Sequence, residues 1–336
     1  MKGPCANASM MSPRCFLTTC WCKKSSSSFA KVANGQFSLL VAAAALVMVD
    51  AATSGRLAII SGSGRLPRLL ADVVAADGRK PLMIALQGFF DSDPGPHEVV
   101  TIYGGQFGKL FSILRAHGCR DVVMVGEVKR PRLRDLRLDW GGIRRLALVF
   151  KARHSGDDAA MRLLTDTFED AGFRVVSLRD VAPGLAAPLG LIGRYAPSRQ
   201  ATEVIARGFS LLKAMSPFDV GQAAVVHGRR VLAVEGAEGT NAMIARIGDL
   251  RRNNRFPVKS PSGILVKMPK ASQELRNDMP VIGSLTIEAA RDAGLEGVAV
   301  AAGGVALADC AELARLADEA GIFLVGCDPS GNWVSA

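Results

Sequence analysis

The chain has 336 residues, 49% of them hydrophobic and 21% charged, which is enough apolar material for the packed cores of two domains. Its 41 Lys and Arg outnumber its 31 Asp and Glu, and the net charge of +10 favours an anionic partner: a nucleotide, a phosphorylated small molecule or an anionic membrane face. Aromatic residues are only 6%, without an RNP-like run or zinc-finger spacing, so we expect no nucleic-acid partner.

The placement of cysteines and histidines argues against a disulfide-stabilised protein and against a zinc protein. Four of the seven cysteines precede residue 23 and the other three are isolated, which is not a disulfide framework and fits a reducing compartment. The four histidines are scattered, and none pairs with another at i, i+4, which argues against a zinc site.

Residues 1–54 form an extension whose composition differs from that of the rest. A stretch rich in Ser, Cys and Lys is followed by an apolar run at 37–49, which is too short to span a bilayer because a span needs about 20 residues. The run is typical of a signal-peptide h-region, and it also fits a translation start placed too far upstream. We prefer the upstream start, with Met48 as the true one, because the first convincing strand begins a few residues later.

Apolar strands alternate with helices from residue 55 onward. The pattern predicts strands at 55–60, 81–86, 121–126 and 173–176, and helices at 68–74, 108–114 and 157–172. This alternation predicts a Rossmann-like α/β domain at 55–184 with a parallel, doubly wound sheet. Ligands of such sheets bind at the C-terminal ends of the strands.

A segment rich in proline and glycine predicts a linker at 185–198, and the pattern then changes. Helices are predicted at 201–212, 241–250, 285–293 and 309–320, and strands at 221–226, 231–235, 264–266, 297–301 and 322–326. The first two of these strands flank a Gly-containing turn and predict a hairpin. The C-terminal domain, 199–331, is therefore predicted to be mixed α/β.

The loop after the first strand has the position of a dinucleotide-binding loop. Gly62, Ser63 and Gly64 precede a helix, but Pro67 replaces the third glycine, and Gln87 stands where a ribose-binding acid is expected. NAD binding is therefore weakly supported. The loop can still present backbone N–H groups to a phosphate at a helix N-terminus, and a plain strand-to-helix turn explains it equally well.

Acidic residues precede two of the predicted helices. Asp157 and Asp158 open one helix, where capping is favoured over a carboxylate pair for a divalent metal. At the second, Thr240 is a reasonable N-cap and Glu238 helps at the same terminus. Capping does not explain Glu235, at the end of an apolar strand, so we expect it to face a cleft.

Cations and one carboxylate follow the strand at 264–266. Lys267 and Lys270 flank a Met-Pro turn, and Arg276 and Asp278 follow closely. This combination can hold a phosphorylated ligand beside a metal ion or an activated water; the alternatives are a solvated basic loop and a turn-initiating aspartate. The basic run 251–255 is expected to be a solvated surface loop or a contact for anionic lipid headgroups.

Six short motifs occur in one order along the chain. They are GSGRLP at 62–67, GDD at 156–158, EGT at 238–240, VKMPK at 266–270 with Gln273, DMPVIG at 278–283 and AGG at 302–304. In this order they resemble the LpxI-type UDP-2,3-diacylglucosamine pyrophosphatases of lipid A biosynthesis in Gram-negative bacteria. The resemblance covers about residues 55 to 329.

The resemblance implies a two-domain enzyme that encloses its substrate between a Rossmann-like domain and a C-terminal catalytic domain peculiar to the family. It implies hydrolysis of UDP-2,3-diacylglucosamine to UMP and 2,3-diacylglucosamine 1-phosphate with a divalent metal, usually Mg²⁺. The diacylated substrate implies a cytoplasmic protein that is peripheral to the inner membrane. The resemblance also allows a homodimer.

The resemblance also implies roles for particular residues. Asp278 matches a family aspartate that is expected to be catalytic by organising metal or water. The residues expected to bind substrate are Gly62, Ser63, Gly64, Thr240, Lys267, Lys270 and Arg276, the last three by neutralising phosphates. The residues expected to bind the metal are Asp278, Glu238 and Asn241.

One position departs from the family pattern. Asn241 stands where the family normally has aspartate, so a full negative charge is lost at that position. Three hypotheses stay open: an active Mg²⁺-dependent pyrophosphatase, a homologue that binds the nucleotide-lipid but turns it over poorly, and, with the least support, an oxidoreductase. We expect activity to survive, because Asn caps a helix about as well as Asp.

Overall fold

The computed structural model describes residues 55–128, 136–145, 157–259, 261–270, 273, 276 and 278–333. From Gly55 onward the described residues belong to one compact unit. The predictions for the extension at 1–54 lie outside the described residues. In the part of the chain that is described, no helix is both long and apolar enough to cross a membrane.

The first half is a five-stranded parallel sheet. Its strands are β1 (Arg56–Ser61), β2 (Leu82–Leu86), β3 (Glu98–Ile102), β4 (Cys119–Val125) and β5 (Arg174–Val175). Its helices are α1 (Leu66–Ala76), α2 (Phe107–Ala116), α3 (Trp140–Arg144), α4 (Asp157–Glu169) and α5 (Leu178–Val181). The strand order β3-β2-β1-β4-β5, parallel throughout, confirms the Rossmann-like prediction.

The central strands are apolar because both faces of this sheet are covered. Leu57 and Ile59 of β1 lie in the core on one face, whereas Ala58 and Ile60 lie in the core on the other, as the two-residue period of a strand requires. Strand β3 was not predicted. It lies at the edge of the sheet and is partly exposed, so its sequence carries a weaker apolar signal than the central strands.

The second half is built on a six-stranded mixed sheet and a separate strand pair. The strands are β6 (Gly190–Leu191), β7 (Ala223–His227), β8 (Arg230–Val234), β9 (Ile264–Lys267), β10 (Val281–Ile282), β11 (Gly297–Ala301), β12 (Ala306–Leu307) and β13 (Phe323–Cys327). The helices are α6 (Arg199–Met215), α7 (Thr240–Arg252), α8 (Ser284–Asp292) and α9 (Cys310–Ala320). The order β6-β13-β11-β9-β7-β8 confirms the mixed α/β prediction.

The middle of this sheet is parallel and its outer strands are antiparallel. Strands β9, β11 and β13 run parallel, and the predicted hairpin β7–β8 joins β9 in antiparallel register. At the other edge β6 pairs with β13. Because β6 lies within 185–198, part of the segment predicted as a linker belongs to the sheet.

The strand pair β10–β12 connects the two halves. These strands pair with each other, separately from the six-stranded sheet. Ala306 of β12 is fully buried in the same core cluster as Leu57 and Ile59, and Met279 and Val281 pack against that cluster. Residues from late in the chain therefore complete the core on one face of the first sheet.

Arg251 is not part of a solvated basic loop. Its guanidinium donates to the backbone oxygens of Ala293 at 2.8 Å and Ser262 at 2.5 Å, and also to those of Val258 and Gly294. The prediction for this residue is wrong because several carbonyl groups converge on it from two loops distant in sequence. Arg251 joins the end of α7 to the chain before β9 and after α8.

Replacing Arg251 with Met should lower the free energy of unfolding by about 2–3 kcal/mol, because several carbonyl oxygens lose a charged donor at once. Urea unfolding followed by circular dichroism would measure the loss. The matched control is Arg252→Met at the next position, where the arginine is exposed and pairs with Asp249. We expect that control to change stability by about 0.5 kcal/mol or less. Equal effects at both positions would contradict the assignment.

Candidate functional site

A large cleft lies at the C-terminal ends of β1 and β4 and is closed on its other side by the second half. Its volume is about 2430 Å³, several times that of a pocket for one drug-sized ligand. The first half contributes the ends of β1 and β4 and part of α4, and the second half contributes the β8–α7 turn and the chain around Asp278. This is the position that the fold predicts for a ligand.

The two sides of the cleft differ chemically. The first half contributes mainly apolar side chains, among them Leu86, Phe107, Met124, Leu163 and Leu164. The second half contributes most of the charged and polar ones, to which the first half adds Arg65, Glu127 and Arg145. Those of the second half are Asp219, Glu235, Glu238, Thr240, Asn241, Lys267, Lys270, Arg276 and Asp278. Such a lining fits an anion that also has a large apolar part better than it fits a purely polar anion.

Lys267, the last residue of β9, is the central charge of the polar side. Only 7% of the residue is exposed. Its ammonium donates to the Thr240 hydroxyl and to the Val281 backbone oxygen, both at 2.9 Å. An ammonium group has three N–H donors, and the third has no acceptor among the described residues, which leaves it to a ligand in the cleft.

Glu235 is the nearest charge of opposite sign. One carboxylate oxygen accepts from the Thr240 hydroxyl at 2.6 Å, and the other accepts from the backbone N–H of Gln222 at 2.8 Å. Burial lowers the pKa of the Lys267 ammonium, and the charges of Glu235 and Asp278 oppose part of that fall. The expectation that Glu235 faces a cleft is confirmed.

Thr240 is not the N-cap of α7. Gly239 occupies that position with φ of 82°, a left-handed conformation that favours glycine, and Thr240 is the first helical residue. The capping prediction is wrong because the Thr240 hydroxyl donates to Glu235 and accepts from Lys267, so it is bonded away from the helix. Thr240 therefore links the two charges.

Asp278 is held in the cleft by Gln273. The Gln273 amide donates to the Asp278 carboxylate at 2.6 Å and to the Asp278 backbone oxygen at 2.7 Å. Its own oxygen accepts from the backbone N–H of Lys270 at 3.0 Å. Because Gln273 is buried, these bonds fix the orientation of the carboxylate.

The other two predicted cations also line the cleft and are paired with acids. Lys270 donates to Asp219 at 2.5 Å, and Arg276 donates to Glu169, at the end of α4, at 2.7 Å. The second pair joins the two halves of the chain. A phosphate that displaced these carboxylates would bind two cations, Lys270 and Arg276, that already line the cleft.

The residues predicted to bind metal lie along the same wall. Glu238 pairs with Arg246 at 3.0 Å, and the side-chain oxygen of Asn241 accepts from the Thr286 hydroxyl at 3.0 Å. Within the described residues, no three His, Cys, Asp or Glu side chains cluster as a metal-binding group. The other acid pair considered, Asp157 and Asp158, begins α4, and its side chains lie outside the described structure.

The glycine loop does not offer free backbone N–H groups. The N–H groups of Gly62, Ser63 and Gly64 donate to Val125, Glu127 and Asp91. A Cβ atom on Gly62 would lie 2.5 Å from the Glu127 oxygen, so glycine is needed for close packing against the turn after β4. All three N–H groups are therefore bonded within the protein, which fits the alternative of a plain strand-to-helix turn. Ser63 and Gly64 do line the cleft, and their contact with substrate stays a prediction.

Several residues of the site were not assigned a role from the sequence. Asp219, Gln222 and Thr286 each bond a predicted site residue or its partner, and Gln273 positions Asp278. Gln273 was visible only as a member of a motif. No local pattern marks Asp219 or Thr286, because their partners lie dozens of residues away.

Fold and site together define an α/β protein with two large sheets and a large cleft whose lining fits an amphiphilic anion. The LpxI N-terminal domain model matches residues 56–185, and the LpxI C-terminal domain model matches residues 188–325. A curated relative, the UDP-2,3-diacylglucosamine pyrophosphatase LpxI of Caulobacter vibrioides, is 36% identical over 274 residues, which are 82% of this chain and 98% of the relative. The chain belongs to the LpxI family, as its motifs predicted.

The pH dependence of stability tests the burial of Lys267. Because its pKa is lowered from 10.5 in the folded state, the unfolded chain binds this proton more tightly. Its contribution to the free energy of unfolding must therefore rise with pH from the folded pKa up to 10.5. The stability of the wild type relative to Lys267→Met should increase over that window in urea unfolding. A difference that does not change with pH would contradict this prediction, and Lys213→Met controls for loss of an exposed lysine.

Proposed function

We propose that the protein hydrolyses the pyrophosphate bond of UDP-2,3-diacylglucosamine to UMP and 2,3-diacylglucosamine 1-phosphate in lipid A biosynthesis. The relative in Caulobacter vibrioides carries that activity in its name and is similar over nearly its whole length. One structural observation supports the proposal most strongly. Asp278 lines the same cleft as Lys267, Lys270 and Arg276, and the first half contributes a mainly apolar lining to that cleft.

In the reaction, a water oxygen bonds to one phosphorus while the bridging P–O bond breaks. The residues of the cleft must therefore orient that water, accept its proton and balance negative charge on the phosphoryl oxygens. Asp278, oriented by Gln273, is the group that orients the water and accepts its proton. The remaining N–H of Lys267 donates to a phosphoryl oxygen, and Lys270 and Arg276 exchange their carboxylate partners for phosphate.

Thr240 and Glu235 act through Lys267. The bonds from Glu235 to Thr240 and from Thr240 to Lys267 fix the position of the ammonium group. The negative charge of Glu235 helps to keep Lys267 protonated in a buried site. A protonated lysine is the form that stabilises a phosphoryl group as charge develops.

The oxygen donors of the cleft wall fit Mg²⁺. This ion takes oxygen ligands and is usually held by one or two carboxylates together with substrate phosphates, so a cage of three acids is not required. Asp278 and Glu238 would supply the carboxylates to a bound ion, and Asn241 would supply an amide oxygen. The bound ion would neutralise charge on the phosphoryl oxygens.

The location and assembly proposed for the protein follow from the substrate. A UDP-linked substrate and isolated cysteines suit the cytoplasm. The two acyl chains of the substrate require contact with the inner-membrane surface. A homodimer belongs to the same proposal. A binding protein with weak turnover is not proposed, because the side-chain oxygen of Asn241 accepts a hydrogen bond from the Thr286 hydroxyl that an aspartate could accept in the same way.

Replacing Asp278 with Asn or Ala should lower UMP release by about 10²–10⁴-fold, because the water loses its proton acceptor. Release would be measured from UDP-2,3-diacylglucosamine with Mg²⁺ and with EDTA. Asp249→Asn, at an exposed acid on α7, is the matched control and should retain activity. Near wild-type release by Asp278→Ala would remove this aspartate from the mechanism. Folded wild-type protein without release would overturn the proposed function.

Asn241→Asp should change the maximal rate little, because asparagine already makes the bond to Thr286. If the position also binds the metal, the added charge should lower the Mg²⁺ concentration required for half-maximal activity. Mg²⁺ titrations of both proteins would measure the two quantities separately. A large gain in maximal rate would show that Asn241 impairs the natural chain.

A further inference from the structure

An exposed apolar surface lies beside the cleft in the first half. It consists of Leu138, Trp140 and Ile143, which we call the apolar platform. Trp140 is 72% exposed and Ile143 is 49% exposed. Both belong to α3 with i, i+3 spacing, so they lie on one face of that helix. Neither is among the residues that line the cleft, so the platform has no role in the site described above.

The platform is held firmly although α3 is short. The Asp139 carboxylate accepts from the backbone N–H groups of Gly142 and Lys109, both at 2.7 Å, and of Gly108 at 3.2 Å. One side chain therefore caps α3 and the N-terminus of α2 together. Burial of this carboxylate opposes its ionisation, but the backbone N–H groups prevail and lower its pKa.

Basic residues outnumber acidic ones in the described segment 136–145. It contains Arg137, Arg144 and Arg145 and one acid, Asp139, whose carboxylate is bonded to backbone N–H groups. Arg137 and Arg144 are exposed, and Arg137 lies 3.9 Å from the centre of the Tyr103 ring. Exposed tryptophan beside exposed arginine is the combination that suits the interface of an anionic bilayer.

The same segment reaches the cleft. Leu136 and Arg145, on either side of the platform, are among the residues that line it, together with Gly105 and Phe107 beneath. A surface that lay on a bilayer here would bring the apolar side of the cleft next to the lipid. A second protein at this position would instead cover the rim of the cleft.

We propose that the apolar platform docks on an anionic phospholipid bilayer, with Trp140 and Ile143 at the boundary between headgroups and acyl chains and with Arg137 and Arg144 on lipid phosphates. The proposal rests on the proposed function in one respect, that the ligand of the cleft is a lipid. It goes further by assigning the surface through which that lipid is reached.

Vesicle sedimentation of the full chain tests the proposal. The probes are vesicles of phosphatidylcholine alone and of phosphatidylcholine with phosphatidylglycerol. The double variant Trp140→Ser/Ile143→Ser should bind the anionic vesicles at least about tenfold more weakly than the wild type, because two large apolar side chains no longer insert. Arg144→Gln should weaken binding about fivefold, with less effect at high salt.

The matched control removes the same kinds of side chain elsewhere. Leu189 and Tyr195 are 53% and 41% exposed and do not line the cleft. Leu189→Ser/Tyr195→Ser should bind vesicles as the wild type does. Every variant keeps residues 1–54, so any membrane affinity of the extension is common to all of them.

Tryptophan fluorescence gives a second readout at the platform itself. Phosphatidylglycerol brominated in its acyl chains should quench the wild type more than Trp140→Phe, because the quencher reaches only an inserted ring. Thermal unfolding of each variant would verify that it is folded. Equal quenching of both proteins would overturn insertion of Trp140.

The outcomes separate this proposal from the proposed function. Sedimentation unchanged in the platform double variant, or equal binding to both vesicle types, overturns docking on an anionic bilayer even if UMP is released. A dimer in solution that the double variant breaks would assign the platform to a second copy of the chain and overturn the proposal. If docking is correct, the double variant should release UMP normally from detergent-dispersed substrate and slowly from vesicle-embedded substrate. Absence of release from both by the wild type would defeat the proposed function alone.

Discussion

A buried ammonium group organises the candidate site. Removing a charge from water is costly unless hydrogen bonds and an opposite charge compensate it. Lys267 at the end of β9 meets this condition through Thr240 at the start of α7, Val281 of β10 and, by way of Thr240, Glu235 after β8. These partners come from separate stretches of the chain. The two hydrogen bonds of the ammonium therefore form only when these separate stretches are assembled.

Apolar burial positions the part of this wall that contains Asp278. Asp278 directly precedes Met279, which with Val281 packs against the core of the first sheet. The buried Ala306 of β12 completes that core from the other strand of the pair. The position of Asp278 thus depends on hydrophobic contacts between the two halves, with Gln273 setting the orientation of its carboxylate. Packing thus sets the position of this residue, and hydrogen bonding sets the direction of its side chain.

Apolar and charged side chains lie close together in two places, inside the cleft and on the exposed surface beside it. Inside the cleft, the lining from the first half is mainly apolar, and most of the charged side chains come from the second half. Outside it, Trp140 and Ile143 project from a segment whose exposed charges are arginines. Both arrangements suit a ligand that has anionic phosphates at one end and hydrocarbon at the other. The excess positive charge of the chain fits phosphates and an anionic bilayer alike.

The sequence by itself determined the alternation of strands and helices, the parallel first sheet, the mixed second one and the family, because apolar periodicity and motif order are local properties of a chain. It misjudged Arg251 and the Thr240 cap, it left the role of the Gly62 loop open, and it did not reveal edge strand β3. Tertiary structure decided those points. A hydrogen bond or ion pair depends on which distant groups folding brings together, as with Arg276 and Glu169, which are 107 positions apart. Residue type limits what a side chain can bond, and only the folded chain selects its partner.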